Sequence, residues 1–494
     1  MFISELLERR KDSMNVAIQC GEEQLTYNSW YKKSISLSKQ IHIVNSTCNR
    51  NVLLFLPNSI NYAIGYFGIL YNNNVIVPLG INSKEKEILS VLKYCGIDTI
   101  VTNNEYKDFL VEILEKYDYR INLVFTDCDE ITIIHDEKLP IPVKDSIVFN
   151  NNEHDVVIML HTSGTMSDPK RVMLTHFNLI NNIESNIQSL NLDSNDRVLI
   201  SMPMYFGYCN TAQFLTHLYL GAVMFIMQNT FFPKKFLQLV QRNKITNFTG
   251  VPTMLLLLLQ FSDIKSYDVS SLRYICFGGS KMPVDKLKKI MEIFPNTSFV
   301  QTYGQTEAAP RITALLGNDA MRKIGSVGKT IPNVELKIVD ENDCELLPNQ
   351  DGEIIVKGPN VMKGYYKQEK KTKETLINGW LHTGDIGHLD REGYLYITGR
   401  KKNMIIVGGI NVYPEEIEEI LMEHVDVKEA YVYGQENELL GEVPVAEIVL
   451  SNEGVVSLLE LKKYCKDKLT DIKVPKQFIV VDSILKTYNG KIKR

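Results

Sequence analysis

The chain has 494 residues, long enough for two or more domains, and its 44% hydrophobic and 23% charged residues are the proportions of a soluble globular protein. Its 54 Lys and Arg against 59 Asp and Glu leave a net charge of −5, and no basic stripe with interleaved aromatics is visible, which excludes nucleic acid as the main partner. The eight cysteines, Cys20, Cys48, Cys95, Cys128, Cys209, Cys276, Cys344 and Cys465, are scattered without CxxC pairs or metal-ligand spacing, as expected of reduced thiols in a cytoplasmic protein.

The N-terminus, MFISELLERRKDS, mixes charges of both signs and lacks the apolar core of a signal peptide. NVLLFLP, NYAIGYFGILYNN and VIVPLG then alternate strand-like and helix-like patterns, and the alternation recurs along most of the chain. It predicts an α/β fold whose large N-terminal domain consists of mostly parallel β-sheets flanked by helices. FNNNEHD at 149–155 reads as a surface connector.

VVIML at 156–160 has a buried-strand pattern, and HTSGTMSDPKRVMLTH at 161–176 follows it. Because VMLTHFNLINNI carries helical spacing, the loop is expected to join a strand to a helix. There, backbone N–H groups, the hydroxyls of Thr162, Ser163 and Thr165, and the Lys170 ammonium would face an anion such as phosphate. A plain turn with a helix cap suits the same residues. A Walker-type NTPase is disfavoured, because Lys170 follows Pro169 and Arg171 stands where GxxxxGK[ST] needs a hydroxyl.

TMLLLLLQF at 253–261 is too short to span a bilayer, so no transmembrane segment is expected. YGQTE at 303–307 offers an aromatic face, a hydroxyl and a carboxylate in quick succession, and LHTGD at 381–385 ends a Gly-containing turn with an acid. After EGYLYITG and GRKKN the pattern resets near residue 400. VYPEEIEEILMEH places Pro414 at a first helical position with Glu415 and Glu416 in the first turn, which suits the fixed proline φ and the helix dipole, and Ile417, Ile420 and Leu421 share a face. AYVYG, VPVAEIVL, SLLELKKYCKDKL and QFIVV complete a small α+β unit of about 90 residues. The expected domains are therefore 1–400 and 401–494, and NGKIKR closes the sequence.

The order and spacing of these motifs, from LTYNSWYKKS (25–34) and NNNVIVPLG (72–80) to NGKIKR (489–494), resembles the adenylate-forming superfamily. That superfamily includes acyl-CoA synthetases, adenylation domains of non-ribosomal peptide synthesis, and luciferases. The resemblance implies that Thr162, Ser163, Gly164, Thr165 and Lys170 cradle the β- and γ-phosphates of ATP. Tyr303 would stack on adenine beside Gly278, Gly279 and Ser280. Thr306 would touch the α-phosphate, Glu307 would hold magnesium, Asp385 would accept from the ribose hydroxyls with Arg400 nearby, and Lys491 would be the mobile catalytic lysine. A mobile C-terminal domain would swing about Lys402 after adenylation, and Gly408 and Gly409 would line the approach of a thiol, that of CoA or of a carrier protein's phosphopantetheine. The chemistry suits these residue types: a carboxylate attacking a phosphate brings two anions together, and magnesium and lysine stabilise the charge that results.

Some residues depart from the superfamily's pattern. Met166 and Ser167 stand where Thr-Gly is typical, and Arg171 replaces the glycine after Pro-Lys, which narrows backbone freedom. PMYFGYC at 203–209 puts Phe206 at the usual gating histidine, so Phe206, Tyr208 and Gly304 are candidate pocket residues, although Tyr205, Phe206 and Tyr208 suit core packing equally. No Asp or Glu lies between Asp196 and Phe236, so the α-ammonium of an amino acid would lack a partner. The expected substrate is a fatty or aryl acid without an α-amine, activated to an acyl-adenylate and then transferred to CoA. A stand-alone enzyme loading an acyl carrier protein, a non-catalytic nucleotide-binding module and a luciferase-like oxygenase are the alternatives.

Overall fold

A computed structural model describes residues 1–45, 50–128, 131–133, 152–161, 170–228, 230–280, 282–451 and 456–485. Two large sheets dominate. In one, of nine strands, Ser298–Gly304, Tyr274–Gly278, Asn247–Gly250, Arg197–Ile200, Val223–Ile226 and Val16–Cys20 run parallel, with antiparallel strands at both edges. The other has eight strands around a parallel set that includes Asn51–Phe55, Val75–Leu79 and Val156–His161.

Strand side chains alternate between faces, and the cores follow that alternation. Val52, Leu54, Ile158 and Leu160 of one sheet and Val198, Ile200 and Val300 of the other share a central core with helices Tyr27–Val44, Ile60–Tyr71 and His176–Leu190. Leu53 and Phe55 turn outward against helices Glu85–Cys95 and Lys107–Lys116, and Leu199 and Phe225 turn outward against Pro233–Asn243 and Val284–Ile293. The Ile60–Tyr71 helix, capped by Ser59, lies between the sheets and is apolar nearly all round for that reason.

Two features differ from the sequence expectations. A five-stranded antiparallel sheet made of Glu335–Val339, Gly352–Lys357, Leu376–Ile377, Trp380–Leu389 and Leu395–Arg400 follows the parallel sheets. The segment 162–169 joins two antiparallel strands, Val156–His161 and Arg171–Thr175, with His161 opposite Arg171, and not a strand to a helix. Arg171 accordingly lies in a strand, fully buried. The helix starts only at His176, where Thr175 and Asn178 form a capping box. A stretch of only four residues leading into a helix fits either period, so the spacing of VMLT could not separate the two.

A second five-stranded sheet, with Ile405–Val407, Ile410–Val412, Val427–Asn437, Gly441–Leu450 and Gln477–Val480, packs on helices Pro414–Met422 and Leu458–Lys468. Among the described residues no helix is long and apolar enough to cross a membrane.

Candidate active site

Ligands of open α/β sheets bind beyond the carboxyl ends of the parallel strands, and the GGS turn, YGQTE and the acid of LHTGD meet there. The Tyr274–Gly278 strand runs into Gly278, Gly279 and Ser280, and its parallel neighbour Ser298–Gly304 runs into YGQTE, with Gly278 opposite Thr302. The Tyr303 hydroxyl donates to Asp385 Oδ2 at 2.7 Å, and Arg400 Nε lies 2.7 Å from Asp385 Oδ1. Asp385 and Arg400 are cross-strand partners in the antiparallel sheet, so a β-hairpin brings acid and base together. Burial, reinforced by the Asp385 carboxylate, pushes the Tyr303 hydroxyl well above its ordinary range and keeps it protonated as a donor. The Asp385 charge holds the Arg400 guanidinium above its ordinary value.

Thr306 and Glu307 lie in a single 3-10 turn just beyond the strand. Glu307 is 8% exposed; its Oε1 accepts from the Tyr365 hydroxyl at 2.8 Å, and its backbone carbonyl accepts from Met362 N–H at 2.9 Å. Lys170 Nζ stands 5.2 Å from the Tyr365 ring centroid. Tyr365 thus touches both Lys170, through its ring, and Glu307, the carboxylate that the resemblance assigns to magnesium, through its hydroxyl. Thr162, Ser163, Gly164, Thr165, Met166, Ser167 and Lys491 lie outside the described residues. Among the described residues no three His, Cys, Asp or Glu cluster as a metal cage. A magnesium that keeps waters and phosphate oxygens needs only one or two protein carboxylates, and Glu307 fits that need.

The candidate pocket residues adjoin this turn. A Cβ at Gly207 would lie 3.1 Å from Leu160 Cδ1 and 3.9 Å from Thr306 Oγ1, so the two large sheets meet here. Tyr208 OH and Thr302 Oγ1 are 2.7 Å apart, and burial pushes the Tyr208 hydroxyl up to about 12. Phe206 packs on Tyr205 with ring centroids 4.7 Å apart, and Tyr205 covers Gly80. At Gly304 a Cβ would sit 1.9 Å from the Pro310 carbonyl oxygen, so this glycine permits a close backbone approach that no other residue allows.

Lys402 is exposed in the one-turn 3-10 helix Lys401–Asn403, between the antiparallel sheet and the C-terminal sheet. On either side of it, Lys401 Nζ donates to Glu353 Oε2 at 2.8 Å and Asn403 Nδ2 to Glu415 Oε1 at 2.6 Å. Gly408 and Gly409, with φ of 58° and 83°, form the exposed two-residue turn of the Ile405–Val407/Ile410–Val412 hairpin. That turn is not among the groups gathered around Glu307 and Asp385.

Sequence reasoning missed the parts that hold the YGQTE turn. Asn178, Asn182 and Asn186 recur every fourth residue on the His176–Leu190 helix, all buried. Asn178 Nδ2 donates to the carbonyls of Pro359 and Val361. Asn182 and Asn360 both donate to the carbonyls of Ala308 and Arg311. The signal was present, since a polar i, i+4, i+8 stripe on an otherwise apolar helix face needs buried partners.

A family model described as AMP-binding enzyme matches residues 8–366, and one described as AMP-binding enzyme C-terminal domain matches residues 416–491. A Bacillus subtilis (strain 168) protein, YngI, provisionally named an acyl-CoA synthetase, is 39% identical over 346 residues, 69% of this chain and 63% of that protein. The long-chain-fatty-acid–CoA ligase of the same organism is 31% identical over 97% of this chain and 90% of its own length. O-succinylbenzoate coenzyme A synthetase from Bacillus subtilis, solved in complex with ATP and magnesium ion, superposes with a TM-score of 0.85 at 28% identity, covering 99% of this chain and 97% of that one. The motif order, the paired parallel sheets and both family models agree: the chain belongs to the AMP-binding enzyme family, whose relatives here are AMP-forming acid–CoA ligases.

Proposed function

We propose that the protein joins a carboxylic acid to coenzyme A at the expense of ATP. An oxygen of the acid attacks the α-phosphorus, the bond to the β-phosphate oxygen breaks, and pyrophosphate leaves with an acyl-adenylate formed. The CoA sulfur then attacks the acyl carbon, loses its proton, and releases AMP. The relatives' named substrates, a long-chain fatty acid and an aryl acid, support a fatty or aryl acid without an α-amine.

The observation that carries the reading is the pairing of two prepared anchors at one sheet edge. The Tyr303–Asp385–Arg400 chain supplies a buried carboxylate for ribose hydroxyls and an aromatic ring for adenine. Glu307, Tyr365 and Lys170 form the second anchor, at the phosphate end. When bound, magnesium supplies charge neutralisation at the reacting phosphates. Thr162, Ser163, Gly164 and Thr165 complete the phosphate cradle in this proposal, and Gly278, Gly279 and Ser280 flank the adenine. Thr306 meets the α-phosphate; Phe206, Tyr208 and Gly304 border the acid. Lys491 provides the cation for the transition state.

We place the domain boundary near residue 400, with Lys402 as hinge and Gly408 and Gly409 along the thiol path. The change of sheet between Arg400 and Ile405 supports this division. The seven described cysteines are all free and five of them buried, which supports a reducing compartment such as the cytoplasm. Acid-dependent ATP–pyrophosphate exchange over fatty, aryl, hydroxy and amino acids tests the reading. Exchange with one acid class, together with CoA-dependent AMP release, is expected; ATP binding without exchange for any acid would leave a nucleotide-binding module in its place.

A further inference from the structure

The segment that presents Asp385 is irregular. Where the Gly352–Lys357 strand pairs with Trp380–Leu389, Glu353 lies opposite Ile386 and Ile355 opposite His382, so Thr383, Gly384 and Asp385 bulge out against Ile354 alone. Gly384 takes a φ of 70°, in the left-handed region that suits glycine. Inside the bulge, Thr383 Oγ1 donates to the Ile354 carbonyl at 2.7 Å and accepts from Asp385 N–H at 3.1 Å. The Gly384 N–H is taken by a side chain, donating to Glu353 Oε1 at 3.2 Å.

Glu353 is 9% exposed, and its second oxygen holds a different element. Oε2 accepts from Lys401 Nζ at 2.8 Å, with His382 Nδ1 3.5 Å away. A carboxylate accepts on both oxygens, and its bonds are of the stronger, charge-assisted kind. One side chain therefore joins the bulge that carries Asp385 to the residue just before Lys402. Asn403, on the other side of Lys402, is tied instead to Glu415 of the Pro414–Met422 helix. A rotation about Lys402 leaves Lys401 with the hairpin of Asp385 and Arg400, and carries Asn403 with the C-terminal sheet. We propose that Glu353 is a positioning residue that couples nucleotide binding to the hinge. Ribose hydroxyls on Asp385 order the bulge, and the chain from Gly384 through Glu353 to Lys401 passes that order to the fixed side of Lys402. The inference rests on the adenylation reading, which puts the ribose at Asp385, and deepens it by naming the link between the nucleotide and the domain movement.

The test uses AMP alone on the full chain, so it does not depend on knowing the acid. Amide hydrogen exchange of residues 400–405 is followed with and without AMP, and AMP affinity is measured by calorimetry. In wild type, AMP is expected to slow exchange in this linker about 10-fold, because a bound ligand lowers local opening. Lys401→Met cuts only the hinge branch: the slowing should vanish while AMP affinity stays within about 2-fold. Glu353→Ala cuts both branches: the slowing should vanish and AMP affinity should fall about 10-fold, as the bulge behind Asp385 loosens. The double variant Glu353→Gln with Lys401→Glu lets the amide donate to the new carboxylate while its oxygen still accepts from Gly384, and should restore both readouts. A purely structural Glu353 would lower the melting temperature of Glu353→Ala without changing how the linker responds to AMP. An equal slowing in Lys401→Met overturns the proposal, as does unchanged AMP affinity in Glu353→Ala. Should Glu353→Ala fail to fold, Lys401→Met and the double variant decide it: loss of the slowing in the first and its return in the second support the clasp, and any other result overturns it. AMP bound by wild type without slowing overturns this inference alone. Slowing by AMP in a protein that exchanges pyrophosphate with no acid overturns the ligase reading alone and keeps the clasp. No binding of AMP overturns both.

Discussion

Glu307 has two ties, the Tyr365 hydroxyl on its carboxylate and the Met362 amide on its carbonyl. Tyr365→Phe removes one donor from a buried carboxylate without changing the ring that faces Lys170. We expect a stability loss of about 1–3 kcal/mol, and a magnesium requirement shifted several-fold with little change in the KM for the acid. Thermal melting and a magnesium titration of pyrophosphate exchange check this; an unshifted magnesium curve would mean that Tyr365 does not orient Glu307. His176 gives a pH prediction. Its Nδ1 accepts from Ile3 N–H at 3.0 Å, and burial lowers the ring from 6.5 to about 4. Between those values the unfolded chain binds the extra proton and the folded chain does not, so stability is complete above pH 6.5 and declines as pH falls toward 4. His176 should account for a loss of about 1–2 kcal/mol between pH 7.5 and 5. Urea denaturation at the two pH values measures it, and His176→Asn, which keeps an acceptor but cannot titrate, should flatten the difference. At this scale Tyr303, Glu307 and Asp385 were legible because each sits in a short motif. Tyr365 was not, because nothing local in the sequence says that a tyrosine will find a carboxylate 58 residues away.

The helix and strand pattern carried most of the architecture, and its one misassignment is instructive. Arg171–Thr175 spans five residues, too few for a helical period to declare itself, and the Thr175–Asn178 capping box was the better marker of where the helix begins. The anion-binding argument for the Ser/Thr-rich segment consequently loses its helix N-terminus and rests on Lys170 and the hydroxyls. The asparagine stripe of the His176–Leu190 helix carries a prediction of its own. Asn182 and Asn360 donate to the same two carbonyls, those of Ala308 and Arg311, at 2.9–3.4 Å. Either alone leaves both carbonyls a donor, so Asn182→Ala and Asn360→Ala should each cost about 1 kcal/mol. The double variant should exceed their sum by about 1–2 kcal/mol, because the carbonyls are then left unsatisfied. A double-mutant cycle by urea denaturation decides this, and strict additivity would show that the two amides act independently.

At the scale of the whole molecule, two halves are stitched by short contacts. The antiparallel sheet ends at Arg400, the C-terminal sheet begins at Ile405, and between them Lys401 reaches back to Glu353 while Asn403 reaches forward to Glu415. The sequence pattern resets at the same place, near residue 400, where alternating α/β units give way to a single compact α+β set. What the pattern cannot convey is that one chain must serve two reactions with opposite needs. Adenylation requires a cation against the α-phosphate with water excluded, whereas thioester formation requires that the same space open to a thiol. In the proposed mechanism a lysine of the C-terminal part, Lys491, satisfies both by leaving after the first step. Lys491→Ala should therefore lower the rate of acid-dependent pyrophosphate exchange on the order of 10²–10³-fold, yet leave conversion of a supplied acyl-adenylate and CoA to thioester near the wild-type rate. Measuring the two half-reactions separately on the same preparation distinguishes the possibilities. Equal loss of both would mean that Lys491 stays in place through the whole cycle, and the exposed turn around Lys402 would then be a connector and not a hinge.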